Sequence, residues 1–330
     1  MGGVEDVVVA VDLGGTSLLC GAANGECEVV EYTERPSLAH LECDRVIANL
    51  KDAIADLIAR LDADKYKPKA ISIGVPGFVD IDCGIVRKAA NLPYMTDVPL
   101  AGILGEAFGI PVYLGHDIDL ATLGEAYYGA GKGTSHLICI TVGTGIGMGM
   151  MFEGSLYRGW NDGAGNLGHM VVDRNVLPSR IPDEGIIENL ASGPSIRTKA
   201  VAALKRGSPG GVIGELCGGK PEKVDTPMVF EAARMGDELS LDVIRETAGV
   251  LGIGIANVIN LLSPEKIVIG GGVAQAGGIF LEAVVAEAKK HVYSYPDIES
   301  RVVQSLLGDK AALVGAAHIV WKRLRAGDAD

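Results

Sequence analysis

The chain has no dense run of lysine and arginine, and its acidic residues leave a net charge of −13. Non-specific nucleic-acid binding draws its affinity from basic patches, so the composition argues against that class. Cysteines are few and scattered: Cys20, Cys27, Cys43, Cys83, Cys139 and Cys217 form no close pair. That spacing offers no disulfide framework and reads as reduced thiols in a reducing, cytoplasmic compartment. Cys20 and Cys139 fall in apolar runs and read as small buried side chains. The N-terminus lacks the basic region and apolar stretch of a secretory signal. Met1-Gly2 lacks the Ser or Thr at position six that myristoylation favours. The longest apolar stretch, Gly249–Leu262, is interrupted by Asn257 and Asn260 and is too short for a membrane span.

What is present is enough material for two domains. The chain has 330 residues, of which 48% are hydrophobic and 22% charged, so it can build a core and is not a disordered chain. Two glycine-rich turns stand far apart. Asp12-Leu13-Gly14-Gly15-Thr16 follows the apolar run Val7–Val11 and leads into Leu18-Leu19-Cys20. Thr141-Val142-Gly143-Thr144-Gly145-Ile146-Gly147 follows Leu137–Ile140 and leads into Met148–Met151. Both read as hairpin turns between strands, whereas a dinucleotide or Walker loop leads into a helix. The amides of a tight Gly/Thr turn can cradle phosphate. A chain carrying this device twice can place one turn on each side of a nucleotide, which points to a two-domain phosphotransferase.

The rest of the chain alternates. Val7–Val11, Leu18–Ala23 and Val29–Glu34 read as a three-strand meander, and Arg45–Leu61 has a helical apolar period. Ala70–Val75 is a buried strand ended by Pro76-Gly77. Leu100–Gly109 reads as a helix, Val112–Leu114 as a strand and Leu120–Tyr128 as a helix. The second half repeats the plan from Leu137. Thr247–Leu262, Phe280–His291 and Ala311–Leu324 are its clearest helices, with strands at Lys266–Ile269 and Val302–Ser305. Ser208–Asp225, rich in Gly and Pro, reads as a loop or mobile cap. A meander, a helix and a further strand in each half is the plan of a duplicated, actin-like or ribonuclease H-like α/β fold, with a mixed sheet covered by helices. Residues 1–115 with 311–330 are expected to form a smaller domain and 116–310 a larger one. Ligands are expected in the cleft between them.

Seven motifs then stand in order: Asp12-Leu-Gly-Gly-Thr16, Gly74-Val-Pro-Gly-Phe-Val-Asp80, Asn91-Leu-Pro93, Asp117 with Leu123-Gly-Glu125, Thr141–Gly147, Gly165-Asn-Leu-Gly-His169 and Ile267-Val-Ile-Gly-Gly-Gly272. Each is weak alone. In this order, from about residue 7 to about residue 320, the chain resembles the ROK-family sugar kinases. ROK repressors share that core behind an added DNA-binding domain, and this chain starts almost directly at the first strand.

The resemblance implies ATP-dependent phosphorylation of a sugar hydroxyl, usually O6 of a hexose, by a homodimer. ATP phosphates would meet Gly14, Gly15 and Thr16 from one half, and Thr141, Gly143, Thr144, Gly271 and Gly272 from the other. Asp12 could hold Mg²⁺, directly or through water; the plainer reading is an Asx-type turn residue. Asp117 is the expected general base, with a helix N-cap as the plainer alternative. The resemblance assigns Asn91, His116, Asn166, His169 and Glu188 to the sugar. His169 reads otherwise as a backbone-bonded structural histidine, and Glu188 as a first-turn helix carboxylate.

Several departures qualify the resemblance. Ser17 stands where the family often has lysine. Zinc-binding members carry a cysteine cluster after the histidine; Asp173–Glu188 has no cysteine, so no structural zinc is expected. The family usually reads Asn-Asp-x-Asn around the base and Glu before the Gly-His pair; here stand His116-Asp117-Ile118-Asp119 and Asn166. The phosphate machinery is kept while the sugar contacts differ, which points to a sugar other than glucose. A sugar-sensing protein with little turnover is the alternative from another class. An acetate- or glycerol-type kinase of the same superfamily is a distant third.

Overall fold

The computed structural model describes residues 4–89, 91–173, 185–207 and 211–327. The chain divides into two compact units. One comprises residues 1–133, 156–163 and 310–330; the other comprises 134–155 and 164–309.

The first unit is built on a five-stranded sheet. Its strands are β1 (Glu5–Leu13), β2 (Ser17–Ala23), β3 (Val29–Pro36), β4 (Tyr66–Val75) and, after a small three-stranded sheet, β8 (Val112–His116). The small sheet is β5 (Phe78–Asp80), β6 (Ile85–Ala89) and β7 (Leu92–Val98). The main order is β3-β2-β1-β4-β8, with β1 antiparallel to β2 and parallel to β4, and β4 parallel to β8. Val7 to Val11 are wholly buried on both faces, as expected of a central strand covered on each side. Pro68, which cannot donate to the ladder, lies where the β1/β4 register slips, beside Val7/Val8.

Helix α1 (Cys43–Arg60) buries Val46, Leu50, Ile54 and Leu57, one stripe at helical spacing, against β2 and β3. After α2 (Leu100–Phe108) comes α3 (Asp117–Tyr128), which starts directly after β8. The second unit then brings α4 (Ile187–Ala191), α5 (Gly193–Lys205), α6 (Gly211–Leu216), α7 (Thr226–Arg234), α8 (Glu238–Leu262), α9 (Gly272–Gln275), α10 (Gly278–His291) and α11 (Ile298–Arg301). The chain returns to the first unit in α12 (Ala311–Ala326), which packs against α3, β1 and β4. A Cβ on Gly124 would overlap the Ala311 carbonyl, and one on Gly315 the Leu120 carbonyl. This close crossing explains why residues 117–133 belong with the first unit, which differs from the expected boundary after residue 115.

The second sheet has the order β11-β10-β9-β12-β13: β9 (Leu137–Val142), β10 (Ile146–Phe152), β11 (Ser155–Leu156), β12 (Lys266–Gly270) and β13 (Val302–Gln304). β9 is antiparallel to β10 and parallel to β12, which is parallel to β13. The long helix α8 packs on α4, α5, α7 and α10 in a separate apolar core.

Part of the segment expected to be a loop, 208–225, is helical. Residues 208–210 lie outside the described residues, but 211–216 form α6, with Ile213 and Cys217 buried. Buried Asp237 caps two helices at once: Oδ1 accepts from Ser240 N–H at 2.9 Å and Oδ2 from Ile213 N–H at 3.3 Å. Among the described residues no helix is long and apolar enough to cross a membrane.

Candidate active site

In the first unit, β1 and β2 close on Leu13 and Leu18, and Gly14 N–H donates to Ser17 O at 2.9 Å. The turn Gly14-Gly15-Thr16 is therefore a short hairpin, as its glycines imply. A Cβ on Gly15 would stand 2.7 Å from Asn91 Cβ, so Gly15 is what lets Asn91 lie directly behind the turn. Asn91 reaches that place on the small sheet, just before β7.

Register sets the acidic groups. Asp12 pairs with Gly74 in β4, and Gly74 pairs with Gly115 in β8; Val75 pairs with His116. Asp12 and His116-Asp117 thus lie at the same ends of three parallel strands, two strand spacings or roughly 10 Å apart. Ligands of open α/β sheets bind at these carboxyl ends. Gly74 leaves room for Asp117: a Cβ there would come within 3.2 Å of its Cα.

Asp117 is the first residue of α3, and its Oδ1 accepts from Ile118 N–H at 2.7 Å. Burial pushes its carboxyl above the ordinary value; the Ile118 hydrogen bond and His116 pull the other way, and the charge of Asp119 adds to the rise. His116, 8% exposed, has a buried Nε2 with no hydrogen-bond partner among the described residues. Asp119, 7% exposed, accepts from Arg158 Nε at 2.7 Å.

In the second unit, β9 and β10 close on Val142 and Ile146, and Gly143 N–H donates to Gly145 O at 2.9 Å. Thr141 pairs with Gly270, which brings Gly271 beside the turn. Gly271 has φ +85, and a Cβ on it would lie 2.5 Å from Val142 O, so it must be glycine on both counts. Glu188, in α4, supports the same turn from behind: its Oε2 accepts from Ile146 N–H at 2.8 Å. A Cβ on Gly145 would come within 2.7 Å of that oxygen, and one on Gly168 within 3.2 Å. Gly165 and Gly168 let the Asn166–His169 segment pass close over β10, with His169 N–H donating to Asn166 O at 3.1 Å. The side chains of Asn166 and His169 are exposed.

The structure therefore gathers Asp12, Gly14, Gly15, Thr16, Asn91, His116 and Asp117 in one unit. It gathers Thr141, Gly143, Thr144, Asn166, His169, Glu188, Gly271 and Gly272 in the other. Two features escaped the sequence. Glu188 holds a backbone amide of the second turn, and Asp119 is paired with Arg158. Among the described residues no group of three or more His, Cys, Asp or Glu could hold a metal; residues 174–184, most of the segment on which the expectation of no structural zinc rests, lie outside them.

The duplicated sheets with their paired turns are an actin-like ATPase fold. Within that class the chain belongs to the ROK family, whose model matches residues 8–323. It is 32% identical over 318 residues to a glucokinase of Thermotoga maritima, covering 96% of this chain and 98% of that one. A crystal structure of a ROK family glucokinase from Streptomyces griseus, in complex with glucose and AMPPNP, superposes with a TM-score of 0.84 at 28% identity, covering 95% of this chain and 98% of that one. The xylose repressor of Caldicellulosiruptor bescii is 27% identical over 316 residues, 95% of this chain and 77% of its own. The chain is a sugar kinase of this family.

Proposed function

We propose that the protein transfers the terminal phosphoryl group of ATP to a hydroxyl of a hexose or hexose derivative, at O6, with Asp117 as general base. The observation that carries this reading is the row Asp12–Gly74–Gly115, which places two carboxylates at the same strand ends, one of them with raised proton affinity. A base must be positioned on the attacking hydroxyl while phosphate charge is neutralised elsewhere. Asp12, partly exposed at the end of β1, suits Mg²⁺, which takes one or two protein carboxylates and completes its shell with phosphate and water. Bound there, the ion would offset the charge of the phosphates. Gly14, Gly15 and Thr16, and Thr141, Gly143 and Thr144 with Gly271 and Gly272, are assigned to phosphate; the Gly14 and Gly143 amides close their own turns, so the other amides and the hydroxyls would make the contacts. Asn91, His116, Asn166, His169 and Glu188 are assigned to the sugar.

The unpartnered Nε2 of His116 supports a sugar contact different from the family's asparagine, and hence a preference for a sugar other than glucose. The likeness to a repressor keeps a sugar-sensing role as the second reading. An ADP-release assay over glucose, mannose, allose, fructose and the N-acetylhexosamines separates the readings. Mg²⁺-dependent turnover with one of them is expected; binding of a sugar without ADP release would establish the sensor instead. Family likeness further suggests a cytoplasmic homodimer, an assembly that sedimentation measures directly.

A further inference from the structure

Asp117 is not the only carboxylate in the first turn of α3. Asp119 lies two residues on, and it is the more deeply buried of the two. A helix N-terminus favours negative charge, but a buried carboxylate remains costly without a charged or hydrogen-bonding partner. Arg158 supplies one, through Nε at 2.7 Å from Oδ2, with its own side chain only 27% exposed.

The place of Arg158 in the chain matters. Residues 156–163 join the first unit, while the chain on either side, 134–155 and 164 onward, belongs to the second. This excursion runs directly into Asn166–His169. Its arginine is fastened to the helix turn that begins with the base.

We propose that Arg158 is a positioning residue for the kinase reaction: by its ion pair with Asp119 it fixes the first turn of α3 to the 156–163 excursion and balances the second carboxylate beside Asp117. The proposal rests on the reading of Asp117 as the base. The groups around Asp117 are few. β8 contributes His116, α3 contributes Asp119, β4 faces it with Gly74, and the excursion contributes Arg158 through Asp119. Removing the guanidinium leaves the Asp119 charge unbalanced next to the base. Removing the Asp119 charge leaves Asp117 beside a net positive neighbour. The two changes therefore act on the base in opposite directions, which a merely structural pair would not do.

The test reads Asp117 directly, by ¹³C NMR titration of aspartate-labelled full-length protein, with Asp117→Asn to assign the signal. In Arg158→Gln its midpoint is expected to rise by about 1 on the pH scale, and in Asp119→Asn to fall by a similar amount, the size of effect one nearby charge produces. The double variant, which removes both charges and keeps similar shapes, should return close to the starting midpoint; it also serves if Arg158→Gln does not fold. The acid limb of kcat/KM should follow the same order. Equal midpoints in all folded variants, or shifts of the same sign, would overturn the proposal. If the titrations behave as expected but Asp117→Asn keeps its turnover, the base assignment fails and the electrostatic coupling stands.

Discussion

The two sheets of this molecule share one blueprint and end in different chemistry. Both run hairpin, central strand and two further parallel strands in the same order. Asp12 and Gly74 in the first sheet hold the places of Thr141 and Gly270 in the second. At the end of the central strand one half therefore carries a carboxylate and the other a hydroxyl. The outer parallel strand of the first half leads straight into a helix that begins with Asp117. The outer strand of the second half, β13, ends at Gln304 with no acid in that place. Both halves carry a glycine-rich turn of the same kind, and the proposed acid–base and metal functions lie in one half only.

The largest expected effect tests that asymmetry. Asp117→Asn should lower turnover ~10²–10⁴-fold, the range for a positioned base, while sugar and ATP still bind. In the wild type, kcat/KM should fall on the acid side at a pH above the ordinary aspartate range, because burial raises this carboxyl. Linkage gives a second sign. A carboxyl whose folded pKa is raised contributes stability that is fully present below its unfolded pKa and is lost as pH rises through the folded one. Asparagine has no charge to bury, so the variant should melt higher than wild type at pH 8, with the gap closing towards low pH. Near-normal turnover would remove Asp117 from the mechanism, and a lower melting point at pH 8 would refute the burial argument.

Next come the equivalent positions themselves. Asp12→Asn should cost roughly 10²-fold or more in kcat/KM, since Mg²⁺ contributes several kcal/mol to phosphate charge neutralisation. Thr141→Val removes one neutral hydrogen-bonding group and should cost only about five- to tenfold. Steady-state kinetics at graded Mg²⁺ should show a raised metal requirement in Asp12→Asn alone. Equal losses in both variants would mean that the two halves share the charge chemistry.

Each unit also crosses two helices over glycine, with a difference in how tightly. In the first, a Cβ on Gly315 would overlap the Leu120 carbonyl, which is backbone and cannot move aside. In the second, a Cβ on Gly252 would meet Glu287 Cβ at 2.7 Å and the Val284 carbonyl at 2.8 Å, a shallower overlap. Gly315→Ala should cost about 3 kcal/mol and Gly252→Ala nearer ~1 kcal/mol, the two ends of the usual overpacking range. Urea denaturation measures both. The reverse order would show that the α3/α12 crossing is the looser one.

The parts legible in the sequence were those whose signals are local. The runs Val7–Val11 and Leu137–Ile140, each followed by a Gly/Thr turn, foretold the hairpins because apolar runs and turn glycines act over a few residues. The small sheet was missed. Its strands are short, Phe78 and Tyr94 are exposed, and Pro93 stands inside β7. Helix α6 read as loop because its start is set by Asp237, 24 positions away. Arg158 and Asp119 are 39 positions apart and follow no spacing rule. The unit boundary depended on a contact between α3 and α12, far apart in the chain and visible only through the fit of Gly124 and Gly315.

The smallest expected effect concerns what stands behind each turn. Asn91 lies against Gly15 by van der Waals contact, whereas Glu188 holds Ile146 N–H by a hydrogen bond at 2.8 Å. If Glu188 served only the sugar, its loss would change sugar KM and leave ATP KM alone. Because it also holds the second turn, proposed to meet phosphate, Glu188→Ala should raise ATP KM as well, by roughly fivefold, the worth of one ordinary hydrogen bond. Glu188→Gln keeps an oxygen that can accept from Ile146 and should restore ATP KM while sugar KM stays impaired, because the amide replaces an acceptor with a donor. Asn91→Ala removes no such bond from its turn and should leave ATP KM within about twofold, given that an ordinary surface change is worth only a few tenths of a kcal/mol. The split between the two Glu188 variants is the decisive measurement. If alanine and glutamine raise sugar KM equally and neither moves ATP KM, Glu188 is a sugar ligand alone and the second turn stands without it.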